Sequence, residues 1–200
     1  MEGRNNTQIY HITCLENLQS IITSGGILCK NAMTRKNIAC INIAHQNIQN
    51  RRAAKKIPIG PEGTLHDYVP FYFAPRSPML YAIHKGNVPG YSEGQEPIIY
   101  LVSNIGKFIA SGGQFVFTDG HAIMDITRFY EDPKDIDQID WSIMRNRMWK
   151  DTQSDGDRSR RRQAEFLAYD FFCLEDIIEI GVINKRNCLA RVDKGAIMRI

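Results

Sequence analysis

The run Arg158-Ser159-Arg160-Arg161-Arg162-Gln163-Ala164-Glu165-Phe166-Leu167-Ala168-Tyr169-Asp170-Phe171-Phe172 constrains this chain most. A cluster of cations leads directly into an apolar, strand-like stretch that carries a single carboxylate. Read as a strand, the run places Gln163, Glu165, Leu167 and Tyr169 on one face and Ala164, Phe166, Ala168 and Asp170 on the other. Glu165 then stands in a wall of apolar side chains. A carboxylate there needs a partner or a function, because burying an unpaired charge is expensive. The competing reading is a glutamate on the wet face of a half-exposed strand, or one paired with a neighbouring arginine.

At 200 residues the chain suits one domain with a sizeable core of its own. No apolar run approaches the roughly 20 residues that span a bilayer, so no membrane segment is expected. The start, Met1-Glu2-Gly3-Arg4-Asn5-Asn6, has no hydrophobic signal region. Cys14, Cys29, Cys40, Cys173 and Cys188 are odd in number and contain no C-x-x-C pair, which points to reduced thiols in a cytoplasmic protein. His11, His45, His66, His84 and His121 show no ligand spacing with cysteine or carboxylate, so no metal is expected. The net charge is only +3, but the cations are clustered. Arg51, Arg52, Lys55 and Lys56 form one group, and Arg145, Arg147, Lys150, Arg158 and Arg160 to Arg162 another. Such patches either track a phosphate backbone or are solvated faces, and charge leaves both readings open.

Along the chain, 8–12 reads as a strand, and Thr13-Cys14-Leu15-Glu16 has the spacing of a capping box that starts a helix with Leu15, Leu18, Ile21 and Ile22 inward. Gly25-Gly26 ends it. His11 thus sits where a strand meets a helix N-terminus, a place where free N–H groups hold a ribose or phosphate, although a lone histidine in such a turn is more often structural. Ile38, Ile41, Ala44 and Ile48 recur at helical spacing, and the stripe continued lands on Arg52, an arginine on the buried side. Snorkelling at the helix end and a guanidinium reaching into a cleft both account for it. An aromatic strand follows at 65–75, then a helix with Ser77 as N-cap and Pro78 at its first position. Strands at 97–102 and 114–118 flank a short helix at 104–111. From Thr118 to Asp157 the chain is polar and weakly periodic, more a functional loop system than a scaffold. Trp141 and Trp149 between cations there suit stacking on unpaired bases, or simple packing of the loop. A short turn at 174–178 and a last strand at 180–183 complete the pattern.

Taken together, Tyr10-His11-Ile12-Thr13, Ile48-Gln49-Asn50-Arg51-Arg52, the block Leu65-His66-Asp67-Tyr68-Val69-Pro70-Phe71-Tyr72-Phe73 with Pro75-Arg76-Ser77-Pro78-Met79-Leu80-Tyr81, Phe115-Val116-Phe117-Thr118-Asp119, and Gln163-Ala164-Glu165-Phe166-Leu167 resemble the DarT family. These are DNA ADP-ribosyltransferase toxins of bacterial toxin–antitoxin pairs, and the resemblance covers nearly the whole chain. It implies an α+β (mixed α/β) fold of the ADP-ribosyltransferase type, with two small packed β-sheets flanked by helices and an NAD⁺ cleft. It implies Glu165 as the catalytic glutamate and Arg52 as the functional arginine that contacts NAD⁺ phosphates. His11, Ile12 and Thr13 match the segment that binds the adenosine portion of NAD⁺, and Ser20 and Leu28 match further contacts, Ser20 standing where a relative has glycine. Gln163, two before the glutamate, matches a residue that engages the target.

Cleaving the nicotinamide–ribose bond builds positive charge on the sugar, and a carboxylate bonded to the 2′-hydroxyl stabilises it, which is the role given to Glu165. An arginine is a poor free base, with a pKa above about 12, so Arg52 is assigned orientation and electrostatics. Tyr72, or Phe71, is placed to stack on nicotinamide. Arg145, Arg147, Lys150, Arg160, Arg161 and Arg162 are the phosphate contacts expected for single-stranded DNA, since base chemistry needs an unstacked base. The expected target is thymine ahead of guanine. The expected partner is a cognate antitoxin, a DarG-like macrodomain or another ADP-ribosyl hydrolase. The alternatives are the same NAD⁺ chemistry on RNA or protein, and a nucleic-acid-binding module without activity.

Overall fold

The structure is a computed structural model that describes residues 6–183. Strand β1 (Gln8–Cys14) runs two residues further than expected, because Thr13 and Cys14 pair with Ile99 and Ile98 of a later strand. The sheet ladder claims Thr13, so the expected capping box does not form. Leu15–Asn17 is instead a 3-10 turn into α1 (Leu18–Thr23), and neither start has a side-chain cap. Leu18 and Ile21 are buried, whereas Ile22 faces outward. Gly25, with φ +74°, ends the helix and leads into β2 (Gly26–Leu28).

After α2 (Lys30–Arg35), the expected long helix is shorter. Only α3 (Gln46–Ala54) is helical, and 38–44 is irregular. The buried Asn17 is the cause: its Nδ2 donates to the Ile41 carbonyl (3.0 Å) and its Oδ1 accepts from the Ile41 N–H (2.8 Å), replacing helical partners. Arg52 is nevertheless buried, as the stripe implies.

A 3-10 turn (Leu65–Asp67), capped reciprocally by Thr64 and Asp67, precedes β3 (Tyr68–Tyr72). Helix α4 (Pro78–His84) starts as read, with the Ser77 hydroxyl accepting from the Leu80 N–H. Next come β4 (Ile98–Asn104), α5 (Ile105–Ala110), β5 (Phe115–Thr118) and β6 (Phe129–Tyr130). A 3-10 segment (Pro133–Gln138) and α6 (Trp141–Arg145) lie within the long polar stretch. The arginine run forms a short helix, α7 (Arg158–Arg161). Strand β7 begins only at Glu165 (Glu165–Tyr169), so the expected alternation covers those residues and leaves Gln163 and Ala164 in the preceding turn. Asp170, with φ +58°, redirects the chain into β8 (Phe171–Cys173), followed by a 3-10 turn (Leu174–Asp176) and β9 (Glu179–Val182).

Two sheets are present, as expected, but they are unequal. Seven antiparallel strands run in the order β6-β5-β7-β3-β1-β4-β9, and β2 and β8 form a second pair. β7 therefore sits inside the large sheet, between β5 and β3. Phe166 and Ala168 point into the main core with Val69, Phe71 and Phe117. Leu167, on the Glu165 face, joins a second cluster with Ile57, Leu65, Tyr68, Val116, Ala122 and Ile123. Phe172 ties the small sheet to the large one, 4.5 Å between ring centres from Phe71 and 4.8 Å from Phe108. Cys14, Cys29, Cys40 and Cys173 are free thiols, and Cys188 lies outside the described residues. Among the described residues no helix is long and apolar enough to cross a membrane.

Candidate active site

Glu165 opens β7 opposite Tyr72 of β3, and the neighbouring pair Phe117–Phe166 brings the end of β5 alongside. The fully buried Thr118 hydroxyl accepts from the Glu165 N–H (3.0 Å) and donates to the Gly120 carbonyl (2.7 Å), fixing the start of the strand to the turn after β5. Glu165 is only 3% exposed. Its Oε2 accepts from Arg52 Nη1 at 2.7 Å, and its Oε1 accepts from the Ala122 N–H at 3.1 Å. A cation and a backbone donor thus offset the burial cost, and neither comes from the adjacent arginine run. Arg52 is 8% exposed, and its Nη2 is buried with no acceptor. An unfilled buried donor costs about 1–3 kcal/mol, a cost that a bound acceptor removes.

Arg52 and Glu165 stand on the wall of a cleft of about 220 Å³. β1 contributes His11, Ile12 and Thr13 to it, α1 contributes Ser20, β2 contributes Leu28 and β3 contributes Tyr72. All the expected catalytic and NAD⁺-binding positions therefore meet in one cavity. His11 Nδ1 lies 2.8 Å from the Pro70 carbonyl, which only accepts, so Nδ1 carries a proton. Burial pushes the His11 pKa down, which keeps the ring neutral and leaves Nε2 as an acceptor. The Tyr72 phenol is pushed up by burial and by Glu165, so it stays a donor. The Ser20 hydroxyl donates to the Asn17 carbonyl (2.9 Å), leaving only its lone pairs for a ligand.

The family model described as "ssDNA thymidine ADP-ribosyltransferase, DarT" matches residues 10–191. The chain belongs to the DarT family. It is 43% identical over 180 residues to the DNA ADP-ribosyl transferase of Thermus sp. strain 2.9, covering 90% of this chain and 83% of that one. The structure of Thermus sp. 2.9 DarT in complex with ADP-ribosylated ssDNA superposes with a TM-score of 0.84 at 40% identity, covering 91% of this chain and 84% of that one. The same organism's DarT in complex with NAD⁺ gives 0.78 at 38% identity, with coverage of 91% and 84%. A DNA ADP-ribosyl transferase–DNA ADP-ribosyl glycohydrolase fusion protein of Thermosipho africanus is 26% identical over 62% of this chain and 29% of its own length.

In this DarT-family chain the expected phosphate contacts divide into two groups. Arg145, Arg147 and Lys150 are exposed. Arg160, Arg161 and Arg162 are instead each engaged within the protein. Arg160 pairs with Asp157 (2.7 Å) and Asp119 (2.9 Å) and donates to Thr127 Oγ1. Arg161 pairs with Asp140 (2.6 Å) and Asp155. Arg162 is buried and donates to the backbone carbonyls of Arg76, Ile143 and Met144. The aspartates scattered through the polar loop neutralise the first two, and backbone carbonyls at the end of α6 and at Arg76 hold the third. Gln163 is bound to the Ser159 carbonyl (3.0 Å) and does not line the cleft. Trp141 is half-buried, with its N–H donated to the Ile136 carbonyl.

Sequence reasoning missed three contributors. Ala122 acts through its backbone, which no side-chain pattern reveals. His121 lines the cleft, and burial pushes its pKa down, against Glu165 and with Arg52 and Arg51. Asn17 shapes the cleft wall by holding the irregular segment, and its Nδ2 also donates to Thr13 Oγ1 (3.0 Å). The polar turn directly after β5 was the available signal for His121. Elsewhere, Cys14, Glu16 and Glu93 place donor atoms within 4.8 Å of one another. The Cys14 thiol is donated to Glu16, and burial and Glu16 push its pKa up to about 11.

Proposed function

We propose that this chain cleaves NAD⁺ at the nicotinamide–ribose bond and transfers ADP-ribose to a thymine base in single-stranded DNA, with guanine as the second choice. The observation that carries the reading is the buried Glu165 carboxylate, held between the Arg52 guanidinium and the Ala122 N–H on the wall of the cleft. A carboxylate offers about four lone-pair sites, and two are used here, so Glu165 retains acceptors for a ribose hydroxyl. As the glycosidic bond breaks, its electron pair leaves on nicotinamide and positive charge grows on the ribose carbon. A preoriented carboxylate stabilises that charge without reorganising. The base then supplies the electron pair of the new bond and gives up a proton. Arg52 fixes the orientation of Glu165, and its unfilled Nη2 fits a phosphate oxygen. His11 offers an acceptor and Tyr72 a donor to the rest of the dinucleotide.

Family membership supports the DNA target, and the complexes of Thermus sp. 2.9 DarT support NAD⁺ as co-substrate and single-stranded DNA as acceptor. The fusion protein of Thermosipho africanus, which carries a glycohydrolase name, supports a toxin role opposed by an antitoxin that removes the mark. The test is intact-mass spectrometry of single-stranded oligonucleotides, each with one modifiable base type, after incubation with NAD⁺ and wild type or Glu165→Ala. The expected result is a gain of one ADP-ribose on thymine strands with wild type alone. A gain only on RNA or protein would move the target, and equal behaviour of the two proteins would leave a binding module.

A further inference from the structure

Helix α4 lies beside the cleft, to which it contributes Met79. Two residues further on, Tyr81 is turned by about 200° to the opposite side, given 3.6 residues per turn. It is 51% exposed there, an unusual setting for a large aromatic ring on a short helix. The Trp149 ring meets it edge-on, with centres 5.8 Å apart and planes at 90°. Lys85, four residues on at the C-cap of α4, holds its ammonium 5.6 Å from the Tyr81 ring centre. Arg147 and Lys150 flank Trp149 and are exposed, and none of these three cations forms an ion pair among the described residues.

The loop that carries Trp149 is fixed from beneath. Arg158 donates to the Met148 carbonyl (2.5 Å), and Arg162 donates to carbonyls at the end of α6 and to Arg76, just before α4. Trp149 also packs its inner side against the main core. The tryptophan is therefore held against α4 before any ligand arrives. A rigid aromatic pair among free cations matches single-stranded nucleic acid, in which bases stack on rings and phosphates meet Lys and Arg.

We propose that Tyr81 and Trp149 form a stacking platform for an unpaired DNA base that flanks the modified nucleotide, with Lys85, Arg147 and Lys150 neutralising the adjoining phosphates. This rests on single-stranded DNA being the acceptor. The platform lies across one helix from the cleft, about 10 Å, so the stacked base is a neighbour of the reacting one. Arg158 and Arg162 then act as positioning residues, which hold the platform in place and do not touch the phosphates themselves.

The test is a titration of single-stranded DNA, without NAD⁺, followed by Trp149 fluorescence and by anisotropy of a labelled strand, for wild type, Tyr81→Ala and Tyr81→Phe. Melting temperature and NAD⁺ affinity establish that each variant is folded. The expected result is binding weakened about five- to 150-fold in Tyr81→Ala, the range for loss of one stacked base, and nearly kept in Tyr81→Phe. In the modification assay KM for DNA rises by the same factor and kcat is unchanged. An abasic scan on the wild-type protein needs no variant to fold: removing the base at one flanking position weakens binding as Tyr81→Ala does. The proposal is overturned if Tyr81→Ala binds as wild type does, if duplex of the same sequence loses as much as the single strand, or if no flanking position responds to the scan. Wild type that binds the strand by this pattern but modifies nothing overturns the transferase reading and leaves the platform. Wild type that binds no single-stranded DNA overturns the platform.

Discussion

A buried carboxylate and a buried guanidinium 2.7 Å apart tie catalysis to stability in this chain. Such a pair adds little net stability, but removing one partner leaves the other charged in an apolar wall, at a cost of about 3–5 kcal/mol. Glu165→Gln keeps the shape and an acceptor for the Ala122 N–H while discarding the charge. It is expected to lower kcat by at least about 10²–10³-fold, the usual effect of losing a preorganised electrostatic group. Urea denaturation provides the second measurement. Arg52→Met and Glu165→Leu should each be strongly destabilising, and the double variant should lose clearly less than their sum, because it leaves no orphaned charge. Strict additivity would mean that the two groups do not depend on each other. Alternation around Glu165 raised a buried carboxylate beside a wet-face alternative, and could not show its partners. Arg52 is far away in sequence, and Ala122 contributes only a peptide N–H.

At the scale of elements, local chemistry was legible where a side chain serves its own segment. Ser77 caps α4 as its pattern implies, and the helix expected from 104 starts one residue later with Asn104 as its cap. It failed where a distant group takes the backbone. β4 draws Thr13 and Cys14 into its ladder, and Asn17 occupies the Ile41 N–H and carbonyl that a longer helix needs. The partners of the arginine run were hidden for the same reason. Cations are visible in a sequence, but the aspartates that neutralise them, at 119, 140, 155 and 157, become neighbours only when the loop closes. Arg160 is the closure point. It bridges Asp119 at the entrance of the loop to Asp157 at its exit, while its carbonyl accepts from the His121 N–H (3.0 Å), one residue before the Ala122 that orients Glu165. A Cβ at Gly120 would collide with this guanidinium. Arg160→Ala is therefore expected to cost about 1–3 kcal/mol, the penalty for a part-buried charged group losing its hydrogen bonds. It should also lower kcat about tenfold as the Ala122 N–H loosens. Arg160→Lys retains the charge without the fork and should recover part of each. Thermal melting and single-turnover rates check both, and a stable Arg160→Ala with a normal rate would remove the clamp from the account.

For the whole molecule, the cleft gathers histidines that share one property. His11, His66 and His121 all line it, and burial is the main cause that pushes each pKa down. In the unfolded chain these rings return to about 6.5. Just below that pH the unfolded state binds more protons than the folded one, so stability rises with pH through this window and is lost as pH falls through the folded values. Each histidine contributes a slope of at most about 1.4 kcal/mol per pH unit. Asp67 and Asp140 are also pushed down, but their carboxylates titrate around and below 3.8, so the two losses are separate in pH. A melting series from neutral pH downward should therefore show a first decline beginning near 6.5, well before the carboxylate decline. His11→Asn keeps a donor for the Pro70 carbonyl but cannot take up a proton, and it should remove one histidine's share of the first slope. NAD⁺ affinity of wild type should hold at the top of this window, where the folded His11 ring is still neutral, and weaken only lower, as pH falls through its lowered folded value and protonation turns Nε2 from an acceptor into a donor. Flat stability between pH 7 and 5 would mean that these rings are as easily protonated in the folded cleft as in the open chain, and that His11 does not hold its neutral form by burial.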